Sequence, residues 1–394
     1  MRATGRVAYV DGLRGLAALA VLIYHATLWL QLALGDANPL GFALRLGAYG
    51  VELFFVLSGF CLAYPFLQRR EGLDLVRFAT RRIVRIVPPY WAAIALLAVA
   101  LVFGKTSFIL GTPVPGGWDV LRQALFLDRN TQFLSGTFWT LALELRWYLL
   151  FPFALWLWTV SPRAFAVAGL SAVVAFRLTT AGAADLYALP AFMLGIVAAD
   201  VALHRRVRAP QAARWFVLLL LPALAVDWIA GPQQHLLPIG TLDVRDYLPP
   251  QRTLWQFASF ALVVLAAAAP FVQRILAWRP LVLCGEASYS IYLIHAPVMF
   301  ALHRALGTVA HRDSVLNAAL AAGASLAAGF VFWRIVEYPI TETPLKDVCI
   351  ARLRPHVLRA FAWLRVPTLV PLFAAGSAHE AQRVGPQELP IARV

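Results

Sequence analysis

The chain has 394 residues, of which 61% are hydrophobic and only 14% charged, with a formal net charge of +14. Soluble domains carry nearer a quarter charged residues, so a string of globular domains is excluded; a mean hydropathy of +0.71 points instead to helices that cross a bilayer. The positive charge is no nucleic-acid footprint, because the arginines gather at the ends of apolar runs rather than along a face with interleaved aromatics.

The first apolar run starts behind a basic N-terminus, as a signal peptide does, but passes His25 and continues to about Leu34 without a cleavage-type motif. It reads as a retained span. Ten spans are predicted in chain order: 12–34, 49–67, 86–103, 138–159, 164–181, 187–203, 214–230, 253–272, 283–302 and 314–335. The fold class is therefore an all-α polytopic membrane bundle of about ten transmembrane helices. With the N-terminus inside, 24 of the 34 basic residues fall on inner segments and 9 on outer ones. That bias puts both termini in the cytoplasm, and the short spans around 164–203 carry least of the pattern.

The longest outer connections, 104–137 and 231–252, are rich in Pro and Gly and hold Asp119, Asp128, Asp243 and Asp246. Long loops in compact proteins often carry function, so these are expected walls of an acceptor site. One membrane domain is expected over 8–347. Residues 348–394 then follow as a basic amphipathic segment, RLRPHVLRAFAWLR, on the inner leaflet, with a disordered tail. Cys61, Cys284 and Cys349 are far apart without CxxC spacing, so neither a disulfide framework nor a metal site is implied.

Ionisable groups inside an apolar span are costly and usually face a protein interior or a water-filled path. His25, eleven residues after Arg14 in DGLRGLAALAVLIYHATLWLQLAL, is the first of these. At about 1.5 Å per residue, Arg14 falls at the inner interface and His25 near mid-membrane. By the same measure Glu144 and His295 reach the middle to outer half of the bundle, with Glu52 close to an outer helix end. Two imidazoles and a carboxylate at one depth suit acid–base work. Ser288 and Tyr292, in ASYSIYLIHAPV, join Glu52 and His295 as a supporting polar core. The plainer alternatives are a helix-packing role for His25 and an ion pair of Glu144 with Arg146, although residues two apart point to different helix faces.

In VRFATRRIVRIVPPYW, Arg77, Arg81, Arg82 and Arg85 are spaced by three and four, which predicts one basic helix face. Arginine forks grip phosphate bidentately, so this face suits a polyphosphate carrier; topology anchoring on anionic lipid is the alternative. Pro88 and Pro89 are expected to start the helix at the interface.

Five separated motifs, in order over about residues 8–347, resemble those of the integral-membrane acyltransferase family 3. They are DGLRGLAALAVLIYH, with its arginine followed by ten residues and a histidine; GVELFFVLSGF; the RxxR pair of RRIVRIVPPYW; FWTLALELRWYLLFP; and ASYSIYLIHAPV. The resemblance implies an O-acyltransferase that moves an acyl group, commonly acetyl, from cytoplasmic acyl-CoA to a hydroxyl of a sugar, polysaccharide precursor or small natural product. Acyl-CoA is then a co-substrate, with no permanently bound cofactor or metal, and membrane lipid is the surrounding partner. It also implies His25 as the catalytic histidine, Arg14 as its motif partner near the donor, Arg82 and Arg85 as the donor-binding pair, and Glu144 as the motif's acidic residue. Glu52 stands where aspartate is more usual, and Arg146 and Trp147 follow Glu144 where other types are frequent. The extracytoplasmic esterase-like domain of some members is not expected in a chain of this length.

On this reading neutral His25 takes the acceptor's proton while Glu144 orients the imidazole or stabilises the imidazolium. Direct transfer and an acyl-enzyme relay are both open. The rival is a transporter or flippase with His25, Glu144 and His295 as a proton path; such proteins often show inverted repeats, and no repeat is detected. A non-catalytic membrane partner is the third class. A bacterial cytoplasmic membrane is the expected location.

Overall fold

The structure, a computed structural model, describes residues 7–35, 38–69, 72–104, 114–127, 134–178, 184–204, 207–230, 252–306 and 314–370. These residues are overwhelmingly helical. The first group comprises α1 (Ala8–Ala26), α2 (Leu28–Leu34), α3 (Pro39–Arg45), α4 (Gly50–Arg69), α5 (Leu75–Gly104), α6 (Gly117–Ala124), α7 (Trp139–Val160) and α8 (Pro162–Leu178). Then come α9 (Ala184–His204), α10 (Ala209–Ala230), α11 (Arg252–Ala268), α12 (Pro270–Leu276), α13 (Arg279–Glu286) and α14 (Ser288–Leu306). A π-helical turn, Trp333–Glu337, links α15 (Val315–Phe332) to α16 (Tyr338–Glu342), and α17 (Leu345–Trp363) follows. The strands β1 (Leu73–Asp74) and β2 (Leu369–Val370) pair antiparallel, Leu73 opposite Val370. Strand pairing and packing of α17 along α5 tie the C-terminal helix to the bundle.

Among the described residues, six helices are long and apolar enough to cross a membrane, or up to eight if two bent pairs each count as one span. This is a multi-pass membrane bundle. Its outer surface carries Leu149, Phe153, Leu218, Ile229 and Phe271, exposed apolar side chains suited to lipid, while Leu13, Phe138, Phe151 and Phe192 fill the interior.

Several predicted spans are differently built. The run 12–34 breaks at Thr27, two residues after His25. There the Thr27 hydroxyl donates to the Ile23 carbonyl at 2.7 Å and the Gln31 amide to Thr27 Oγ1 at 2.8 Å, local bonds that compete with the helical ladder. The run 253–272 turns by 103° into α12, whose Pro270 takes the first helical position, where a missing amide donor costs little. The run 283–302 contains a 76° bend between α13 and α14. Conversely, Pro88 and Pro89 do not start a helix: α5 runs through both. The two prolines remove the ladder donors that would meet the Val84 and Arg85 carbonyls; next to these, the Ile86 carbonyl accepts from the Tyr289 hydroxyl at 3.0 Å.

Close approach of backbones seats the helices that carry the site. In lipid, association rests on contact rather than on water exclusion, and small residues allow it. A Cβ at Gly59 of α4 would fall 2.0 Å from the Phe192 carbonyl oxygen of α9, and one at Gly195 2.1 Å from that of Val56. On α1, Gly12 and Gly15 meet the Leu276 and Leu281 carbonyls in the same way, which explains the glycines around Arg14.

Candidate active site

A cavity of about 290 Å³ opens among α1, α4, α5, α7 and α14. Three arginines line it, Arg14 from α1 and Arg82 and Arg85 from α5, together with the Glu144 carboxylate of α7. Arg14 donates to the Ser288 hydroxyl at 3.0 Å. Arg82 lies 5.7 Å above the Tyr148 ring, a cation–π contact that steers its guanidinium. The four arginines expected on one face divide: Arg82 and Arg85 turn into the cavity, whereas Arg77 and Arg81 are exposed. Helix-face spacing is compatible with both arrangements, and the packing of α5 against α7 and α14 decides between them.

Glu144 Oε1 accepts from the Ser58 hydroxyl of α4 at 2.7 Å and from the hydroxyl of Tyr148, one turn along α7. The expected contact of Glu144 with the His25 ring is not what these bonds make. His25 meets His295 instead, His25 Nδ1 to His295 Nε2, 3.3 Å. His295 is 1% exposed, and its Nδ1 sits 2.9 Å from the Tyr292 carbonyl and 3.1 Å from that of Ile291.

Carbonyls only accept, so His295 Nδ1 carries the proton and its Nε2 is an acceptor. His25 Nδ1 faces that acceptor and also the Val21 carbonyl at 2.9 Å, so it carries a proton too. This assignment from the hydrogen-bond network leaves His25 Nε2 with a lone pair and, among the described residues, no hydrogen bond.

Neither imidazole lines the arginine cavity. Phe54 and Tyr292 both line the cavity, and their rings meet edge to face with centroids 6.1 Å apart. Tyr292 lies 5.6 Å from the His295 ring, accepts from Thr140 Oγ1 at 2.7 Å and donates to the Thr137 carbonyl at 3.0 Å. Tyr292 thus connects the cavity lining to the histidine pair.

Glu52 belongs to a separate buried cluster. Its Oε1 accepts from Arg252 at 2.8 Å and from the Tyr187 hydroxyl. Arg252 also stands 5.2 Å over the Tyr49 ring, and the Tyr49 hydroxyl donates to Asp227. The cluster joins α4, α9, α10 and α11. Of the loop carboxylates named as acceptor walls, Asp119 caps α6 by accepting from the Gly116 amide at 3.0 Å; Asp128, Asp243 and Asp246 lie outside the described residues.

Four residues were not singled out from the sequence: Ser58, Tyr148, Arg252 and Glu337. Ser58 lies inside the motif GVELFFVLSGF, and Tyr148 one helical turn after Glu144, so both carried a local signal. Glu337 is 3% exposed on the π-helical turn. It accepts from the Ser290 hydroxyl at 2.6 Å and amide at 3.2 Å. π-Turns recur at functional sites, but nothing in the residue pattern announces this one.

The model of an acyltransferase domain, acyltransferase family 3, matches residues 7–334. The peptidoglycan O-acetyltransferase OatA of Listeria monocytogenes is 25% identical, over 84% of this chain and 55% of its own length. The O-acetyltransferase OatA of Staphylococcus aureus is 22% identical, over 95% of this chain and 65% of its own. The chain therefore spans little more than half to two thirds of these relatives. The acyltransferase MdmB of Streptomyces mycarofaciens is 28% identical, over 89% of this chain and 94% of its own. No solved structure matches. With the family model covering most of the chain and the arginine cavity built from the motifs of that family, the protein belongs to acyltransferase family 3.

Proposed function

We propose that this protein is an integral-membrane O-acyltransferase that moves an acyl group, acetyl in the simplest case, from cytoplasmic acyl-CoA to a hydroxyl of a sugar, a polysaccharide precursor or a small natural product. The observation that carries the reading is the arginine trio Arg14, Arg82 and Arg85 lining one cavity. Guanidinium forks match phosphate, and a cluster of three inside an apolar bundle calls for a polyanionic ligand. The relatives named O-acetyltransferase support acetyl as the group, and the match to the acyltransferase MdmB supports acyl transfer by the part of the protein described. Ten spans, both termini in the cytoplasm and a bacterial cytoplasmic membrane are part of the same proposal, supported by the distribution of arginines.

Within it, His25 Nε2 is the base that takes the acceptor hydroxyl's proton, with His295 as the positioning residue that sets the tautomer. Glu144 serves the donor side through Ser58 and Tyr148. The experiment is release of free CoA thiol by the purified protein in lipid vesicles supplied with acetyl-CoA and a cell-wall oligosaccharide extract. Thiol release that depends on both the protein and His25 supports the enzyme; acetyl-CoA that neither binds nor turns over contradicts it, and a transporter gives no thiol.

A further inference from the structure

Ser58 and Ser290 both donate to a carboxylate of another element, Glu144 and Glu337 respectively, but of the two Ser58 alone lines the arginine cavity. Thr27, Thr80 and Thr341 satisfy their hydroxyls on the carbonyl one turn back, at 2.7, 2.7 and 2.9 Å, the common solution in an apolar helix. Ser58 instead reaches from α4 to α7 and donates to the Glu144 carboxylate at 2.7 Å. Tyr148 donates to the same oxygen from the other side. A hydroxyl on a carboxylate that a third group holds in place is the constellation of an activated nucleophile.

Its position is as informative as its partner. Ser58, Glu144 and Tyr148 all line the cavity that holds the three arginines, and His25 does not. The other nucleophile-type groups lining the cavity are committed or without such a base. Ser288 accepts from Arg14, Tyr289 donates to Ile86, Thr140 and Tyr292 bond each other, and Cys61 has no hydrogen-bonded carboxylate.

Resting on the acyl-CoA reading above, we propose that Ser58 is an acyl-carrying nucleophile: the acyl group passes from the donor thioester to Ser58 Oγ, and from there to the acceptor. In the first step Ser58 Oγ attacks the thioester carbonyl and its proton moves to Glu144. The C–S bond breaks, the proton passes on to the departing thiolate as CoA thiol, and an ester is left on Ser58. The nearby guanidinium groups favour the oxyanion that forms on the way. In the second step the acceptor oxygen attacks that ester while His25 Nε2 takes its proton; the ester bond to Ser58 Oγ breaks, and the proton passes from His25 to the departing Ser58 oxygen, which restores its hydroxyl and the neutral imidazole. The geometry favours a relay because Phe54 lies one turn, about 6 Å along α4, from Ser58. An acyl ester there shares the cavity with Phe54 and Tyr292, and the Tyr292 ring lies 5.6 Å from that of His295.

The test uses the full-length protein in lipid vesicles with radiolabelled acetyl-CoA and no acceptor, quenched in acid. One equivalent of CoA thiol and one acetyl group on the peptide that contains Ser58 are expected. Ser58→Ala should lose that label and at least about hundredfold in turnover while still binding acetyl-CoA. Ser58→Cys should regain label as a thioester that neutral hydroxylamine cleaves, which carries the test should the alanine variant fail to fold. Label on another residue, transfer without a labelled intermediate, or an alanine variant that turns over normally overturns the relay and leaves the acyltransferase reading intact. A wild-type protein that does not bind acetyl-CoA overturns the acyltransferase reading itself.

Discussion

His295 Nε2 lies 3.3 Å from His25 Nδ1, and because His295 is itself tied through Nδ1 to the Tyr292 and Ile291 carbonyls, the pair is held in one protonation pattern. His25 is left with its Nε2 lone pair directed away from its partner. His25→Ala is expected to abolish acyl transfer, a loss of about 10²–10⁴-fold if other groups continue to act. His295→Ala should lower kcat about 10–10²-fold at unchanged half-saturation for donor, as for groups that orient a working imidazole. His295→Gln, whose amide oxygen can accept the same bond, should recover part of the loss. Steady-state kinetics on the three variants check this, and a His295→Ala enzyme with normal kcat contradicts it.

The division of the α5 arginines makes a second prediction. Arg82 and Arg85 line the cavity, while Arg77 and Arg81 are exposed. Replacing Arg82 or Arg85 by alanine removes a charge-assisted contact worth about 1.5–3 kcal/mol, so donor affinity should fall by about 10–100-fold. Arg77→Ala and Arg81→Ala should leave it within about twofold. Calorimetric titration with acetyl-CoA separates the pairs; equal losses at all four positions would make them anchors on the lipid surface.

Much of this was legible in the residue pattern, because the cost of a charge in hydrocarbon makes intramembrane Arg14, His25, Arg82, Arg85, Glu144 and His295 conspicuous. Their depths could be counted from helix rise, and His25 does meet His295. What depth cannot give is rotation about the helix axis. Glu144 and His25 were both placed toward mid-membrane, yet Glu144 turns toward Ser58 and His25 toward His295. The breaks were hidden for a related reason. Thr27 interrupts the first span with a hydroxyl as apolar-compatible as its neighbours, while Pro88 and Pro89, conventional helix breakers, are absorbed into α5 with Tyr289 donating to the Ile86 carbonyl beside them.

The Glu52–Arg252 pair is an internal strut between α4 and α11, and its behaviour should be that of a buried ion pair. Removing one partner strands the other charge and costs about 3–5 kcal/mol, so Glu52→Leu and Arg252→Met should each lower thermal stability strongly in detergent. The double replacement, which leaves no buried charge, should be milder than either single change. Thermal unfolding of the three variants measures this; additive losses would show that the two residues act separately.

The approach of α4 and α9 is set by Gly59 and Gly195. Either glycine to leucine forces a side chain into a facing backbone carbonyl and should push the helices apart, with loss of folded protein in gel filtration. Gly35, with φ of 73°, ψ of 176° and open space around its Cα, sits in a positive-φ extended conformation essentially reserved for glycine, and Gly35→Ala should cost the strain of that conformation, about 1–3 kcal/mol. An unaffected Gly195→Leu protein would contradict the packing described.

The most direct measurement is mass spectrometry of cell-surface glycans and secreted metabolites from cells that carry the gene, lack it, or carry it with His25→Ala. The account predicts at least one species heavier by an acyl group in the first strain and missing from the other two. Identical spectra from all three strains, with the protein present in the membrane, would contradict it.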